Sequence, residues 1–231
     1  YSSAASDVYK RQLQHSAKHK IASNYGKSYY PSDYSPNAGW ADYYGNEDFF
    51  KAYPNDDRKE WNYMTEWKIK SGEIIPYTES ADKLPAISKY YDYDEGAPGK
   101  SAQSNGITCI YRYAEVLLMY AEASTRATNS VNQDALNAIQ EVQKRAGYQN
   151  RQIELTTTTE PAAFLTAVSN ERGWEFFAEM KRWFELVRLE KVKEVRAEEW
   201  DASTFNTNHH YYFPVPYQQV DLAGWTNNAG Y

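Results

Sequence analysis

From about residue 107 the chain changes from irregular patterning to a helical period. Ala114, Leu117, Leu118 and Ala121 fall at the i, i+3, i+4, i+7 spacing of a buried helix face. After the turn-like Thr128-Asn129-Ser130, Ala135, Ala138, Ile139, Val142 and Ala146 lay out a second face. Gly147 then stands where a helix commonly ends in a left-handed residue. A third helix is predicted after the Thr156–Thr159 run, with Pro161 in its first turn, where the missing N–H is no loss. It carries Ala162, Leu165 and Val168 and runs into the dense segment Glu171 to Arg188, so a helix or helix pair is expected to about residue 196. Beyond that the period fades. Tyr211-Tyr212-Phe213-Pro214-Val215-Pro216 reads as an extended segment pinned by two prolines.

The first two helices form an αα-hairpin whose small facing residues let the backbones approach closely, as in tetratricopeptide-like pairs. Residues 13–106 carry neither period. Pro31, Pro36, Pro54, Pro76, Pro85 and Pro98 punctuate them, and only Glu73-Ile74-Ile75-Pro76-Tyr77 and Ile87-Ser88-Lys89-Tyr90-Tyr91 read as short strands. A loop-rich stretch of this length is functional or disordered. Its rings (Tyr29, Tyr30, Tyr34, Trp40, Tyr43, Tyr44, Phe49, Phe50, Trp61 and Trp67) argue against disorder, which is poor in aromatics. The expected class is mainly α: helical hairpins with long aromatic-rich loops and a few short strands. Three stretches follow: a leader over 1–12, a loop-rich ligand-facing region over 13–106, and a helical region over 107–231. Together they read as one incomplete domain. The leader, Tyr1 to Gln12, resembles translated adapter DNA more than protein and is set aside.

Composition sharpens this. The chain holds 22 Tyr, 7 Trp and 8 Phe, yet its mean hydropathy is −0.83, so some rings are expected at the surface. There they suit stacking on ligands, because each offers a flat apolar face and Tyr and Trp add a polar handle. Most of the tyrosines are expected to fill core edges instead. The net charge of −6 and the scattered Lys and Arg give no basic stripe for nucleic acid. A single cysteine, Cys109, excludes an internal disulfide framework, and within Ile107-Thr108-Cys109-Ile110 it reads as a buried, inert thiol. No stretch approaches the ~18 apolar residues of a membrane span.

Glu171, Glu175 and Glu179 recur at i, i+4, i+8 and would share one helix face, where like charges repel. Compensation comes from Arg112, Arg172, Arg182 or Arg188, or from a metal. Arg is the usual solution in a packed helical layer, so a structural ion-pair network is expected. A di-metal helical site would want Glu-x-x-His pairs, and this region has no His. His209-His210 reads as a loop or strand-end pair, and His15 with His19 as a solvated helix face. No phosphate loop, nucleophile elbow, Cys-x-x-Cys or His-Glu-x-x-His motif occurs, and no carboxylate pair is singled out for catalysis. No cofactor, metal or catalytic residue is therefore assigned. The candidate ligand-binding residues are Trp40, Tyr43, Tyr44, Tyr34 and Asn37, in the turn-rich Ser35–Tyr44 stretch. The competing reading is that Trp40 packs under its own loop.

Four ordered segments together resemble the SusD/RagB family. Tyr111-Arg112-Tyr113-Ala114-Glu115-Val116-Leu117-Leu118-Met119-Tyr120-Ala121-Glu122-Ala123 is similar to a family helix, and Val142-Gln143-Lys144-Arg145-Ala146-Gly147 to the end of its next one. Glu171-Arg172 through Arg182-Trp183-Phe184-Glu185-Leu186-Val187-Arg188 resembles the family's Glu-Arg…Arg-Trp-Phe-Asp-Leu-x-Arg block. Phe213-Pro214-Val215-Pro216 and Asn227-Asn228-Ala229-Gly230-Tyr231 resemble its terminus, with Ala229 where Pro is usual. Tyr53-Pro54-Asn55-Asp56-Asp57-Arg58 resembles its Asp-x-Arg region. The resemblance implies a tetratricopeptide-like helical fold with a ligand face on loops. It further implies a non-catalytic, glycan-binding lipoprotein on the extracellular face of the outer membrane, delivering oligosaccharides to a SusC-like TonB-dependent barrel. The signal peptide, the lipidated Cys and several helices would lie in an amino-terminal part outside this chain. The matching blocks are scaffold, so the ligand itself stays open. Two rival classes remain: a helical adaptor that captures peptide or protein in its groove, and a glycoside hydrolase fragment.

Overall fold

The computed structural model describes residues 28–35, 38–89, 110–195 and 206–231, which fall into two compact units divided between Glu179 and Met180. The change of texture near residue 107 is therefore not a boundary between compact units. Loop-rich segment and helical hairpin belong to the same body. Cys109, His15 and His19 lie outside the described residues.

In the first unit, α1 (Glu47–Ala52) and α2 (Asp57–Asn62) are short helices, each opened by a side-chain cap: Asn46 accepts from the Phe49 N–H and Asp56 from the Arg58 N–H. These caps satisfy backbone donors that a six-residue helix otherwise leaves open at its start. Two antiparallel ribbons follow. β1 (Tyr63–Met64) pairs with β4 (Ala86–Ile87), and β2 (Glu66–Lys68) with β3 (Ile74–Pro76), in a register that sets Tyr63 opposite Ile87 and Trp67 opposite Ile75. The two strand segments expected from sequence coincide with β3 and overlap the end of β4.

The hairpin is α3 (Tyr113–Thr128) and α4 (Gln133–Arg145), turned by Asn129 in the left-handed conformation and capped again by Asn132. Helix α5 (Pro161–Glu175) starts with proline in its first turn, and the Glu160 carboxylate accepts from the Ala162 and Ala163 N–H groups. Leu118 and Ala121 from α3, Ala135, Ile139 and Val142 from α4, and Phe164 and Val168 from α5 form one buried cluster. On α5 the core is filled by Phe164 and Val168; Ala162 is exposed and Leu165 only half-buried, one position off the face the spacing suggested. The mainly helical class read from the sequence is what the structure shows.

Of the helix or helix pair expected through the Glu171–Arg188 segment, the structure shows separate helices. α5 ends at Glu175, and Ala178 (φ 58°) and Met180 (φ 59°) adopt left-handed conformations on either side of Glu179. Helix α6 (Arg182–Arg188) resumes in the second unit, followed by α7 (Val192–Val195), α8 (Thr207–His210) and α9 (Tyr217–Ala223). Leu186 and Val192 are its buried apolar side chains among the described residues. His209 and His210 end a short helix instead of lying in a loop or at a strand end, and the His209 ring packs 4.2 Å from Tyr231. The terminal Asn-Asn-Ala-Gly-Tyr run clasps the extended Phe213–Pro216 segment. Asn227 accepts from the Val215 N–H at 2.8 Å, and Asn228 donates to the Phe213 carbonyl at 2.6 Å. No described helix is long and apolar enough to cross a membrane.

Candidate functional site

The loop-rich part of the first unit is knitted by backbone hydrogen bonds. The Gly39 N–H donates to Pro31 O at 2.8 Å, Ala41 to Tyr30 O at 3.1 Å, and Asp42 and Tyr43 both to Ser28 O. Gly39 presses so closely on Tyr30 that a Cβ there would stand 1.8 Å from the Tyr30 carbonyl oxygen, which explains glycine beside Trp40. Gly45 N–H to Pro85 O, at 2.9 Å, ties this stretch to the segment before β4. Pinned in this way, Trp40 and Tyr43 stand 49% and 55% exposed. The Tyr43 ring lies 5.6 Å from that of buried Tyr29, tilted 55° to it.

The other expected ligand residues differ. Tyr44 is half-buried, and its hydroxyl donates a short hydrogen bond to Asp82 Oδ2. Burial, then the bond to Asp82, push its pKa up, so it stays a neutral donor. Tyr34 is also half-buried, its backbone bridged to Ile69 and its ring 5.3 Å from Tyr30. Asn37 lies outside the described residues. The structure thus leaves Trp40 and Tyr43 as outward rings and turns Tyr34 and Tyr44 into supports. Sequence reading missed the carboxylates that tie these loops together. Asp33 accepts from Trp67 Nε1 at 2.7 Å and from the Ala81 N–H at 3.3 Å, while Asp82 accepts from Tyr44 and, at 3.5 Å, from Ser32 Oγ. These pairs span 34 to 50 residues, and no local signal marks them.

A buried charge network joins the loop-rich segment to the helices. Arg58 Nη1 donates to Glu171 Oε1 at 2.6 Å and to Glu175 Oε2 at 3.0 Å, while its other nitrogens hold Asp56. Arg112 bonds Glu175 Oε1 at 2.6 Å and reaches both carboxylate oxygens of Glu179, at 2.8 and 3.1 Å. Lys89 donates to Glu179 Oε1 at 2.6 Å, and Arg145 donates a short bond to Glu175. Glu171 is 0% exposed and also accepts from Tyr148 and Gln143. Burial pushes the Glu175 carboxyl upward, but the guanidiniums of Arg145, Arg112 and Arg58 outweigh it and hold the group at about 2. For Glu171 burial wins over Arg58, and its pKa is raised. Burial likewise lowers the Lys89 pKa against the pull of Glu179.

Of the expected network, Arg112, Glu171, Glu175 and Glu179 are brought together. The sharing of one helix face is not observed: Glu179 arrives from the turn after α5. Arg172 faces Glu115 at 3.7 Å, and Arg182 lies in the second unit, bonded to Glu185 at 3.0 Å. Arg58, Arg145 and Lys89 were not anticipated as members, although Arg58 stands in the Asp-x-Arg segment read from sequence. Among the described residues no group of three or more His, Cys, Asp or Glu side chains is placed to hold a metal.

A family model described as the SusD family matches residues 14–231. The chain belongs to the SusD family. Among curated SusD-family proteins it is 28% identical over 200 residues to SusD-like protein P2 from Formosa agariphila, covering 78% of this chain and 39% of that protein. Its fold is similar to that of a SusD superfamily protein from Parabacteroides distasonis, at TM-score 0.73 and 22% identity, covering 92% of this chain and 48% of that one. It is also similar to the surface glycan-binding protein A from Bacteroides uniformis, at TM-score 0.69 and 22% identity, over 90% of this chain and 47% of that one. The chain thus spans less than half the length of these SusD-family relatives.

Proposed function

We propose that this chain carries the ligand-bearing loops of a non-catalytic, glycan-binding surface lipoprotein. The protein sits on the extracellular face of the outer membrane and hands oligosaccharides to a SusC-like TonB-dependent transporter. One observation carries the glycan reading: in a SusD-family chain, Trp40 and Tyr43 present half-exposed rings on a loop fixed by five backbone hydrogen bonds. Rigid rings with one wet face suit the apolar faces of sugar rings, because binding then orders little further. A SusD-superfamily neighbour that is itself named as glycan-binding supports the same reading. The transporter partner, the lipid anchor and the location rest on family membership.

The test is affinity electrophoresis of the soluble chain against a polysaccharide panel. Trp40→Ala and Tyr43→Ala are expected to abolish retardation while far-UV circular dichroism stays unchanged. Full retardation of both variants would move the site elsewhere. A second reading, a helical adaptor for peptide or protein, is favoured by the face of α3, where Tyr113, Val116, Met119 and Tyr120 are all exposed. Saturable binding of an apolar peptide, lost in Met119→Glu and indifferent to Trp40→Ala, would select it over the glycan reading.

A further inference from the structure

Helix α3 has its polarity turned inside out. Its exposed positions are Tyr113, Val116, Met119, Tyr120, Ala123 and Ala127, with Arg126 and Thr128 as polar exceptions in the last turn. Its two carboxylates, Glu115 and Glu122, are buried, and Arg126 Nε donates to Glu122 Oε1 at 2.8 Å. Tyr113, Val116, Tyr120, Ala123 and Ala127 fall at i, i+3, i+7, i+10 and i+14, the spacing of a seam that packs against another helix, and Met119 widens it. The inward side of α3 is already taken, since Ala114, Leu118 and Ala121 lie in the core shared with α4 and α5. The outer stripe is therefore a second apolar face. Helix α4 gives the contrast within the same hairpin. Its exposed residues are Gln133, Asp134, Asn137, Glu141, Lys144 and Arg145, as water demands.

A contiguous apolar stripe on a surface marks an interaction face. In stacked helical hairpins the terminal units present a polar outer face, and the units between them bury apolar faces against neighbours. By that measure α4 ends a stack and α3 faces a further member of it. The family supplies one: more than half of each of the two SusD-superfamily neighbours lies outside the stretch that this chain matches. We infer that the outer stripe of α3 is the packing face for an amphipathic helix from that other half of the SusD fold, carried on the same polypeptide. The small Ala123 and Ala127 let that helix approach closely at one end, while Tyr113, Val116 and Tyr120 fill the wider gap at the other. This goes beyond the glycan reading and does not depend on what the loops bind. It closes the α3 face to peptide capture in the whole protein.

The experiment compares the 231-residue chain with the product of the whole reading frame that encodes it. Both carry Cys109→Ser with either Met119→Cys or, as a control in the exposed turn, Ser130→Cys, and are labelled with a maleimide under native conditions. The Ser130→Cys thiol should react alike in the two proteins. The Met119→Cys thiol should react about tenfold or more slowly in the longer one, because a covered thiol reacts only when its cover opens. Should the cysteine variants not fold, Val116→Glu takes their place. It should lower the unfolding temperature of the longer protein by several degrees and leave that of the 231-residue chain unchanged. Equal labelling of Met119→Cys in both proteins overturns the inference, as does a reading frame no longer than this chain. Protection that is lost on dilution, with a dimer in sedimentation, assigns the stripe to a second copy and also overturns it. So does saturable binding of an apolar peptide to the longer protein that Met119→Glu removes.

Discussion

The helical hairpin and the described part of the loop-rich segment are held by different forces. Between α3, α4 and α5 the contacts are small and aliphatic (Ala121, Ala135, Ile139 and Val142 around Leu118 and Phe164), and stability there follows apolar area removed from water. In the loop-rich segment, rings meet rings, several of them edge to face. Phe50 lies 4.8 Å and Tyr53 5.6 Å from Tyr63, both edge to face, and Phe177 lies 4.5 Å from the same Tyr63 ring. Polar ties add to this: Tyr53 donates to the Trp174 carbonyl at 2.7 Å, and Asn62 to the Tyr53 hydroxyl. The difference teaches that a segment without periodicity can still be specifically tied. Its order comes from specific long-range bonds, so it depends on a few residues, whereas the hairpin spreads its stability over many.

The sharpest way to break that contrast is at the joint between the two. Arg58→Ala would leave Asp56, Glu171 and Glu175 with a missing buried partner, and removing one side of a buried pair costs ~3–5 kcal/mol. Chemical denaturation should show the loss, together with early exposure of the loop aromatics by fluorescence. Retention of the parental midpoint would mean that loops and hairpin are joined elsewhere. Leu118→Ala should cost ~2–5 kcal/mol through the cavity it opens, yet leave glycan affinity of the folded protein unchanged. A matching fall in affinity would show that the site depends directly on the hairpin core.

Acid sharpens the same comparison. Glu175 has a folded pKa near 2, below its unfolded value, so its contribution is fully present above the unfolded carboxylate range and is lost as pH falls toward 2. Glu171 is shifted the other way by burial, so its protonation favours the folded state at low pH. The prediction is a net fall in urea midpoint between pH 5 and 3 that shrinks in Glu175→Gln. An identical pH slope in that variant would remove Glu175 as the cause. Gly39→Ala is expected to act more locally. Its methyl would collide with the Tyr30 carbonyl, displacing Trp40, so glycan binding should fall while helicity is kept. Smallest in stability is Trp40→Ala itself, whose exposed ring should be worth no more than ~0.5 kcal/mol by thermal unfolding. A larger loss would mean that the ring packs under its loop.

The hairpin was legible in the sequence because its signal is local. A 3.6-residue period, the Asn129 turn, Gly147 after α4 and Pro161 opening α5 each act within a few residues of where they are read. The Glu171, Glu175 and Arg112 meeting was foreseeable for a related reason, since clustered like charges on a helix need cations. What the period could not give was the end of α5, where left-handed Ala178 and Met180 turn the chain so that Glu179 reaches Arg112 and Lys89 from outside the helix. Nor could it sort the rings of residues 29–67. Tyr44 faces a carboxylate 38 residues away and Tyr53 a carbonyl 121 residues away, so burial or exposure of a ring there is set by contacts distant in the chain. Sequence by itself determined the family, the helical class and the supply of aromatics. Tertiary structure alone decided which rings face water and which bond a distant carboxylate, because each outcome depends on segments that meet only when folded.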